Sequence, residues 1–327
     1  MTVLLGHDQG IAAFRNGIAG GRMHHAWLIS GPKGVGKALF ARKAATRLLA
    51  DAAGPAVDLP GLDVPDDHPM ARLIEAGSHP DLMKLERQPR EEGGELARNI
   101  TVDQVRSLQR LFTTTSSMSP WRCVIVDSVD DLERNAANAL LKNLEEPPPF
   151  SLFFLVSHAP ERLLPTIRSR CRVLRLSTLE DDVMTAVLRI ALPDADDKEI
   201  RDLRAAGRGS PGRALGFRGL DIAGLDRAME DIARAGDPVN AKRSALAQSL
   251  SPKATQQRYE VFLGRLPSFI AARARERQGR ALAEALRLWE RAQDLAGSAV
   301  KLSLDPQSVV FELAGMLAAL APRQADG

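Results

Sequence analysis

The sequence predicts an α/β fold with a parallel sheet in its first half and helices alone in the rest. Up to residue 176, short apolar runs that suit buried strands alternate with segments of helical periodicity. After residue 176 the strand pattern disappears. Because strands that alternate with helices run parallel and are covered by those helices, we expect a parallel sheet in the first half of the chain.

Each predicted strand is a short apolar run that ends at a turn or at a polar residue. The runs are Ala26–Ser30, Arg122–Val126, Leu152–Val156 and Val173–Leu176. Helical stripes over residues 39–49, 102–112 and 137–144 separate them, and Asp103 is the expected N-cap of the second stripe. The segment Lys84–Arg98 carries charges of both signs, which indicates a solvated loop.

The chain divides into three predicted parts: an α/β domain over residues 1–176, a small helical domain over 177–219 and a helical domain over 220–327. The last predicted helix, Val309–Leu320, is apolar almost all round and follows Asp305 as N-cap, with Pro306 in its first turn. Such a helix must be buried, either inside its own domain or against partner subunits.

Composition narrows the class of protein. The formal net charge is +3, and aromatic residues make up only 4% of the chain, which disfavours a stacking platform for single-stranded nucleic acid. No apolar run is long enough for a membrane span, and the N-terminus lacks the pattern of a secretory signal. With two cysteines, we expect a cytoplasmic protein without a membrane partner and without a four-thiolate zinc site.

The segment Gly31-Pro-Lys-Gly-Val-Gly-Lys37, here called the P-loop, lies between a predicted strand and a predicted helix. Glycines at 31, 34 and 36 let backbone N–H groups face phosphate oxygens, and Lys37 can reach the outer phosphates. The next residue should carry a hydroxyl for magnesium, but it is Ala38. The pattern therefore predicts a degenerate nucleotide site. A glycine turn that only packs the strand on the helix is the alternative.

Asp127 ends a predicted buried strand downstream of the P-loop, which is the place of the Walker B magnesium ligand. The neighbouring glutamate that would polarise an attacking water is absent, because Ser128 occupies that position. An aspartate after a strand also serves as a helix cap or loop residue. In combination with the P-loop, a Walker B role is the favoured interpretation.

Several segments resemble clamp-loader ATPase domains, which are AAA+ proteins. The segments Asn138–Pro148 (NALLKNLEEPP) and Leu164–Cys171 (LPTIRSRC) are similar to characteristic motifs of that family. Ser78–Asp81 and Gly209–Leu215 resemble two further pieces, and the matches run in family order over roughly residues 4–216. The last third of the chain carries no such motif.

The resemblance implies roles for individual residues. Arg170 would be an arginine finger that reaches the nucleotide of a neighbouring subunit, although a surface salt-bridge arginine is the default for an arbitrary arginine. Arg213 would be the sensor 2 arginine, and Ser157 would lie in the sensor 1 region. Residues 177–219 would form a lid over the nucleotide cleft, and residues 220–327 would form a collar that holds subunits together.

The departures at Ala38 and Ser128 indicate one kind of family member. This kind supplies an arginine finger to a neighbouring subunit but does not itself hydrolyse ATP productively. The implied partners are other loader subunits of the delta and gamma/tau types, with the sliding clamp and primed DNA reached through the assembly. The implied setting is the DNA polymerase III holoenzyme, and weak ATP or ADP binding is left open. Some members carry a four-cysteine zinc module, but residues 51–100 contain no cysteine, so no zinc is expected.

Two rival functions stay open. One is a motor-type loader subunit that hydrolyses ATP despite Ala38 and Ser128. The other is a P-loop scaffold protein outside replication, which gives no account of the two long motif segments. Intrinsic ATPase activity would favour the first rival, and failure to associate with loader subunits would favour the second.

Overall fold

The computed structural model describes residues 4–21, 23–90, 94, 96–113 and 117–322. The chain divides into two compact units, residues 1–216 and residues 217–327. Within the described residues, the strands all belong to the first unit, and the second unit is helical. The division into three parts stays a prediction, and residues 177–216 lie in the first unit.

The first unit is built on a five-stranded sheet in the order β2-β3-β4-β1-β5, and every described pairing in it is parallel. The strands are β1 (Ala26–Ser30), β2 (Leu82–Glu86), β3 (Arg122–Asp127), β4 (Ser151–Ser157) and β5 (Arg172–Arg175). The predicted α/β class is therefore confirmed. Since the strands are parallel, the carboxyl ends of β1, β3 and β4 lie at the same edge of the sheet.

The helices of the first unit are α1 (Asp8–Ala19), α2 (Lys37–Ala52), α3 (Pro69–Glu75), α4 (Val102–Arg106), α5 (Leu108–Thr113), α6 (Arg134–Glu145), α7 (Pro165–Arg168), α8 (Asp181–Ala191), α9 (Asp197–Gly207) and α10 (Pro211–Leu215). They cover both faces of the sheet. Trp27 and Ile29 pack in one cluster with Phe40, while Leu28 packs in the other with Leu140. This alternation follows from the two-residue period of a strand.

Two predictions in this unit are wrong. The segment Lys84–Arg98 is not wholly a loop, because β2 occupies its start. β2 is an edge strand in which only Leu85 is buried, and its sequence therefore lacks an apolar run.

The predicted helix over 102–112 is two helices that meet at Ser107, and its N-cap is Thr101 rather than Asp103. Thr101 and Gln104 form a reciprocal capping box, which satisfies two backbone N–H groups.

The second unit contains α11 (Ile222–Ala235), α12 (Ala241–Leu250), α13 (Gln256–Arg275), α14 (Gly279–Ala299) and α15 (Pro306–Ala318). Asp305 caps α15 as predicted, accepting a hydrogen bond of 2.8 Å from the Ser308 N–H. Val310, Leu313 and Leu317 of α15 are fully buried in the core of this unit. The apolar last helix is therefore buried inside its own unit. None of the helices described in either unit is long and apolar enough to cross a membrane.

Candidate functional site

The P-loop connects β1 to α2, as predicted, and its glycines are required by geometry. Gly31 and Gly34 have φ angles of 141° and 83°, in a region that side chains disfavour. A Cβ atom at Gly31 would lie 2.1 Å from the carbonyl oxygen of Leu176, and one at Gly34 would lie 2.5 Å from Ser210 Oγ. Gly36, with φ 104°, is the N-cap of α2. The backbone can make this turn only with glycine.

Hydrogen bonds within the chain hold the backbone carbonyls of the P-loop. Five consecutive carbonyls, those of residues 31–35, accept hydrogen bonds from the chain itself. Lys37 Nζ donates to the carbonyls of Gly31 and Pro32 at 2.7 Å each. Three further donors each lie 2.8 Å from a carbonyl oxygen: Ser210 Oγ from that of Lys33, the Gly212 N–H nitrogen from that of Gly34, and His7 Nε2 from that of Val35. The first N–H groups of α2 have no intrahelical acceptor and are the natural donors to an anion.

Lys37 is the first residue of α2, and its side chain is buried. Burial lowers the pKa of Lys37 to about 8, although Asp130 and Asp127 oppose the shift. Its ammonium is held by the carbonyls of Gly31 and Pro32. To contact a phosphate, the ammonium would exchange at least one of these carbonyls for a phosphate oxygen, which is a stronger acceptor because it is charged.

Asp127 ends β3 and lines a cavity of about 510 Å³ together with Lys37 and the P-loop. Burial raises the pKa of the Asp127 carboxyl, an effect that the nearby Lys84 charge reduces. Ala38 also lines this cavity and offers a methyl group where a hydroxyl would hold magnesium. The structure thus brings the predicted lysine and aspartate to one cavity, and the rest of its lining is largely apolar, including Leu39.

Helix α10 closes one side of the same cavity through Pro211, Gly212 and Leu215. Arg213 belongs to this helix but is exposed and is not among the described residues that line the cavity. Its backbone N–H donates to Ser210 Oγ at 3.4 Å, which caps the helix. Contact between Arg213 and a phosphate therefore stays a prediction.

Ser157 lies at the carboxyl end of β4, as predicted, and is fully buried. Its hydroxyl donates to Asp130 Oδ1 at 2.8 Å, and Asp130 also accepts a 2.6 Å hydrogen bond from the His158 N–H. His158 lines the cavity, and burial, followed by the Lys37 charge, lowers its pKa. Sequence reasoning missed both Asp130 and His158, since only the fold shows that the turn after β3 meets the end of β4.

Arg170 follows α7 and lies apart from the cavity. Its Nη2 lies 2.8 Å from Glu145 Oε1, and its Nη1 donates to the Thr166 carbonyl at 2.9 Å. The side chain is 34% exposed. Glu145 belongs to the segment Asn138–Pro148, so the fold brings the two long motif segments into contact. Within the chain, Arg170 is a salt-bridge arginine, and a role in another subunit's site stays a prediction.

The histidines in the region without cysteines serve the local structure. His68 caps α3 through Nδ1, and its Nε2 lies 3.1 Å from the Pro55 carbonyl. His79 accepts a hydrogen bond from the Asp81 N–H at 3.1 Å. Both rings are buried, and each accepts a backbone hydrogen bond from a residue two positions further along the chain. Within the part of the chain that the structure describes, no group of three or more His, Cys, Asp and Glu residues could hold a metal ion.

Comparison with known proteins relates these features to one family. The family model described as "DNA polymerase III, delta subunit" matches residues 6–180. DNA polymerase III subunit delta' of Pseudomonas aeruginosa is 36% identical over 62% of this chain and 59% of its own. Subunit delta' of Escherichia coli is 33% identical over 60% and 54%, and subunit tau of Escherichia coli is 30% identical over 68% and 33%.

The chain spans between about a third and three fifths of the length of these relatives. The family match covers the P-loop, Asp127, Ser157 and Arg170, and thus all the predicted site residues except Arg213. It also takes in the five strands of the sheet. Because the match extends over more than half of the 327 residues, the chain belongs to the DNA polymerase III delta-subunit family.

Proposed function

We propose that this chain acts as a delta-prime-type subunit of a replicative clamp loader. In this role it organises the loader ring and donates Arg170 to the ATP site of a neighbouring subunit while a sliding clamp is loaded on primed DNA. Family membership supports the general role. The observation that carries the specific role is the combination of a partly exposed, oriented Arg170 with a P-loop that lacks the magnesium hydroxyl at Ala38.

The chemistry proposed for Arg170 is stabilisation of charge on a phosphoryl group in transfer. A guanidinium has five N–H donors, and the two contacts of Arg170, to Glu145 and Thr166, use only two of them. The donors that contact none of the described residues would meet phosphate oxygens of a neighbouring subunit. Such an arginine finger typically contributes about 10³–10⁵ in rate.

The chain's own cavity has the groups to hold a nucleotide weakly. The N–H groups at the start of α2 and the Lys37 ammonium would hold phosphates, and Asp127 would face a magnesium ion. A bound nucleotide would supply a phosphoryl group open to attack by water. The chain lacks both the hydroxyl ligand and the glutamate for that reaction, since Ala38 and Ser128 occupy those positions. We therefore propose weak binding of ATP or ADP without productive hydrolysis.

The proposed partners are loader subunits of the delta and gamma/tau types, with the second unit serving as the collar. The clamp and primed DNA are reached through this assembly, which belongs to the DNA polymerase III holoenzyme. We expect the protein in the cytoplasm, where Cys123 and Cys171, both free thiols in the structure, would stay reduced.

The test is reconstitution with the other loader subunits, the clamp and primed DNA, with DNA-stimulated ATP turnover as the readout. We expect Arg170→Ala to lower turnover about a hundredfold or more while the assembly stays intact. Arg168→Ala is the matched control, because Arg168 is an exposed arginine at the end of α7, two residues before Arg170. Unchanged turnover with Arg170→Ala in an intact assembly would refute the finger role.

The alternative is a motor-type subunit, which is favoured by one observation: Lys37 and Asp127 line the same cavity. It predicts ATP turnover by the isolated chain that Lys37→Ala abolishes.

A scaffold role outside replication predicts that the chain does not associate with loader subunits at all. Both outcomes can be measured with the same purified proteins.

A further inference from the structure

We infer that Glu145 is a positioning residue for Arg170: it fixes the guanidinium in the orientation from which the finger reaches a neighbouring subunit's nucleotide. This inference rests on the proposed function. Nothing in the two motif segments taken separately points to a contact between them. Only the fold places the end of α6 beside the residue that follows α7.

Two anchors from different elements define the orientation of the guanidinium. Thr166, in α7, accepts from Nη1 at 2.9 Å, and Glu145, at the end of α6, lies 2.8 Å from Nη2. With one of these contacts alone, the planar guanidinium would be free to rotate about that single hydrogen bond. With two anchors, the plane is fixed and the outward donors have a defined direction.

The backbone that carries Glu145 is itself well held. The preceding residue, Leu144, is buried at 1% exposure in the sheet core, and its carbonyl lies 3.1 Å from His25 Nε2. Helix α6 ends at Glu145, and Pro147 follows two residues later, which prevents the helix from continuing. Glu145 therefore presents its carboxylate to Arg170 from a fixed position.

Fold stability gives little reason for a carboxylate at this site. The side chains of Arg170 and Glu145 are 34% and 47% exposed, and exposed ion pairs contribute little to stability. Glu145 is also the last residue of its helix, where the helix dipole favours a cation and disfavours a carboxylate. A contact that does little for stability but fixes a guanidinium is what positioning requires.

The experiment compares Glu145→Gln with Glu146→Gln in the reconstituted loader with clamp and primed DNA. Glu146 is the matched control, since it is the adjacent carboxylate, is exposed, and forms no ion pair with the residues that the structure describes. We expect Glu145→Gln to lower the kcat of DNA-stimulated ATP turnover about tenfold to a hundredfold with KM unchanged, because a small misplacement of a reacting group costs this much. Glu146→Gln should stay within about twofold of wild type.

A double variant separates positioning from a structural effect. If Glu145 acts only through Arg170, then Glu145→Gln should cause no further loss in an Arg170→Ala background. Glu145→Asp should restore part of the turnover, because it keeps the charge. Equal turnover for Glu145→Gln and Glu146→Gln, a rise in turnover, or additive losses in the double variant would each overturn the inference. If Arg170→Ala alone has no effect, the proposed function has failed instead.

Discussion

The P-loop and the Arg170 segment both belong to the first unit, yet they satisfy their polar groups in opposite ways. The P-loop turns inward: its carbonyls over residues 31–35 are all bonded within the chain, and Lys37 is buried. Arg170 is partly exposed, and its contacts with the described residues use two of its five N–H donors. The P-loop carbonyls are therefore satisfied within the chain, whereas Arg170 is the arginine for which we propose a contact with another subunit.

The hydrogen bonds that hold the P-loop lie within the chain and do not depend on a ligand. Ser210 and Gly212 donate hydrogen bonds to the carbonyls of Lys33 and Gly34, so the start of α10 is joined directly to the loop. The loop thereby ties β1, α2 and α10 together whether or not a nucleotide binds. Changes in the P-loop should therefore affect stability, while changes at Arg170 should affect function.

The largest expected effect is at Gly31. Gly31→Ala should lower the free energy of unfolding by about 3 kcal/mol or more, because the backbone φ of 141° disfavours a side chain and the new Cβ would collide with the Leu176 carbonyl. Urea denaturation measures the loss. Gly77→Ala is the control, since its φ is 67° with no atom within 4 Å of the new Cβ, and it should lose only about 1 kcal/mol. Equal losses would show that the P-loop can relax.

A smaller effect is expected from the buried charge of Lys37. Its pKa is lowered from 10.5 to about 8 by burial, so between these values the unfolded chain binds more protons than the folded chain. The contribution of Lys37 to the free energy of unfolding should therefore rise with pH in that window.

Urea denaturation at about pH 7.5 and about pH 9.5 measures this contribution. Wild type should gain about 1–2 kcal/mol relative to Lys37→Met between these conditions. Replacement of the exposed Lys33 by Met should leave the pH dependence of wild type unchanged. A Lys37→Met variant with the same pH dependence as wild type would contradict a lowered pKa.

The smallest expected effect is on the stability of the Arg170→Ala variant. Its free energy of unfolding should stay within about 1 kcal/mol of wild type, since an exposed ion pair contributes little. Arg47→Ala is the contrast: Arg47 is buried and donates to Asp51 and to the carbonyls of Val57, Leu59 and Asp63, so its loss should cost about 3 kcal/mol. Similar losses in the two variants would show that the exposed Arg170 ion pair contributes as much to stability as the buried contacts of Arg47.

Local pattern was sufficient for four of the five strands and for the P-loop. Buried parallel strands are continuous apolar runs, and a phosphate loop has a fixed glycine spacing, so both can be recognised without knowledge of distant residues. β2 and β5 are both edge strands and are both little buried. β5 could be recognised from its adjacent apolar residues Val173 and Leu174, whereas β2 escaped recognition because Lys84 and Glu86 interrupt its apolar pattern. The break between α4 and α5 escaped for a similar reason, since one apolar stripe continues through both helices.

The sequence by itself determined the α/β class and the lack of two groups, a hydroxyl at position 38 and a glutamate at position 128. It also determined that one turn carries Gly31, Gly34, Gly36 and Lys37 and that Asp127 ends a strand. Only the tertiary structure decided the partners of these groups. It paired Ser157 with Asp130, Ser210 with the P-loop and Arg170 with Glu145. The physical reason is that a hydrogen bond or ion pair depends on a few ångströms of separation, which chain folding sets between residues far apart in sequence.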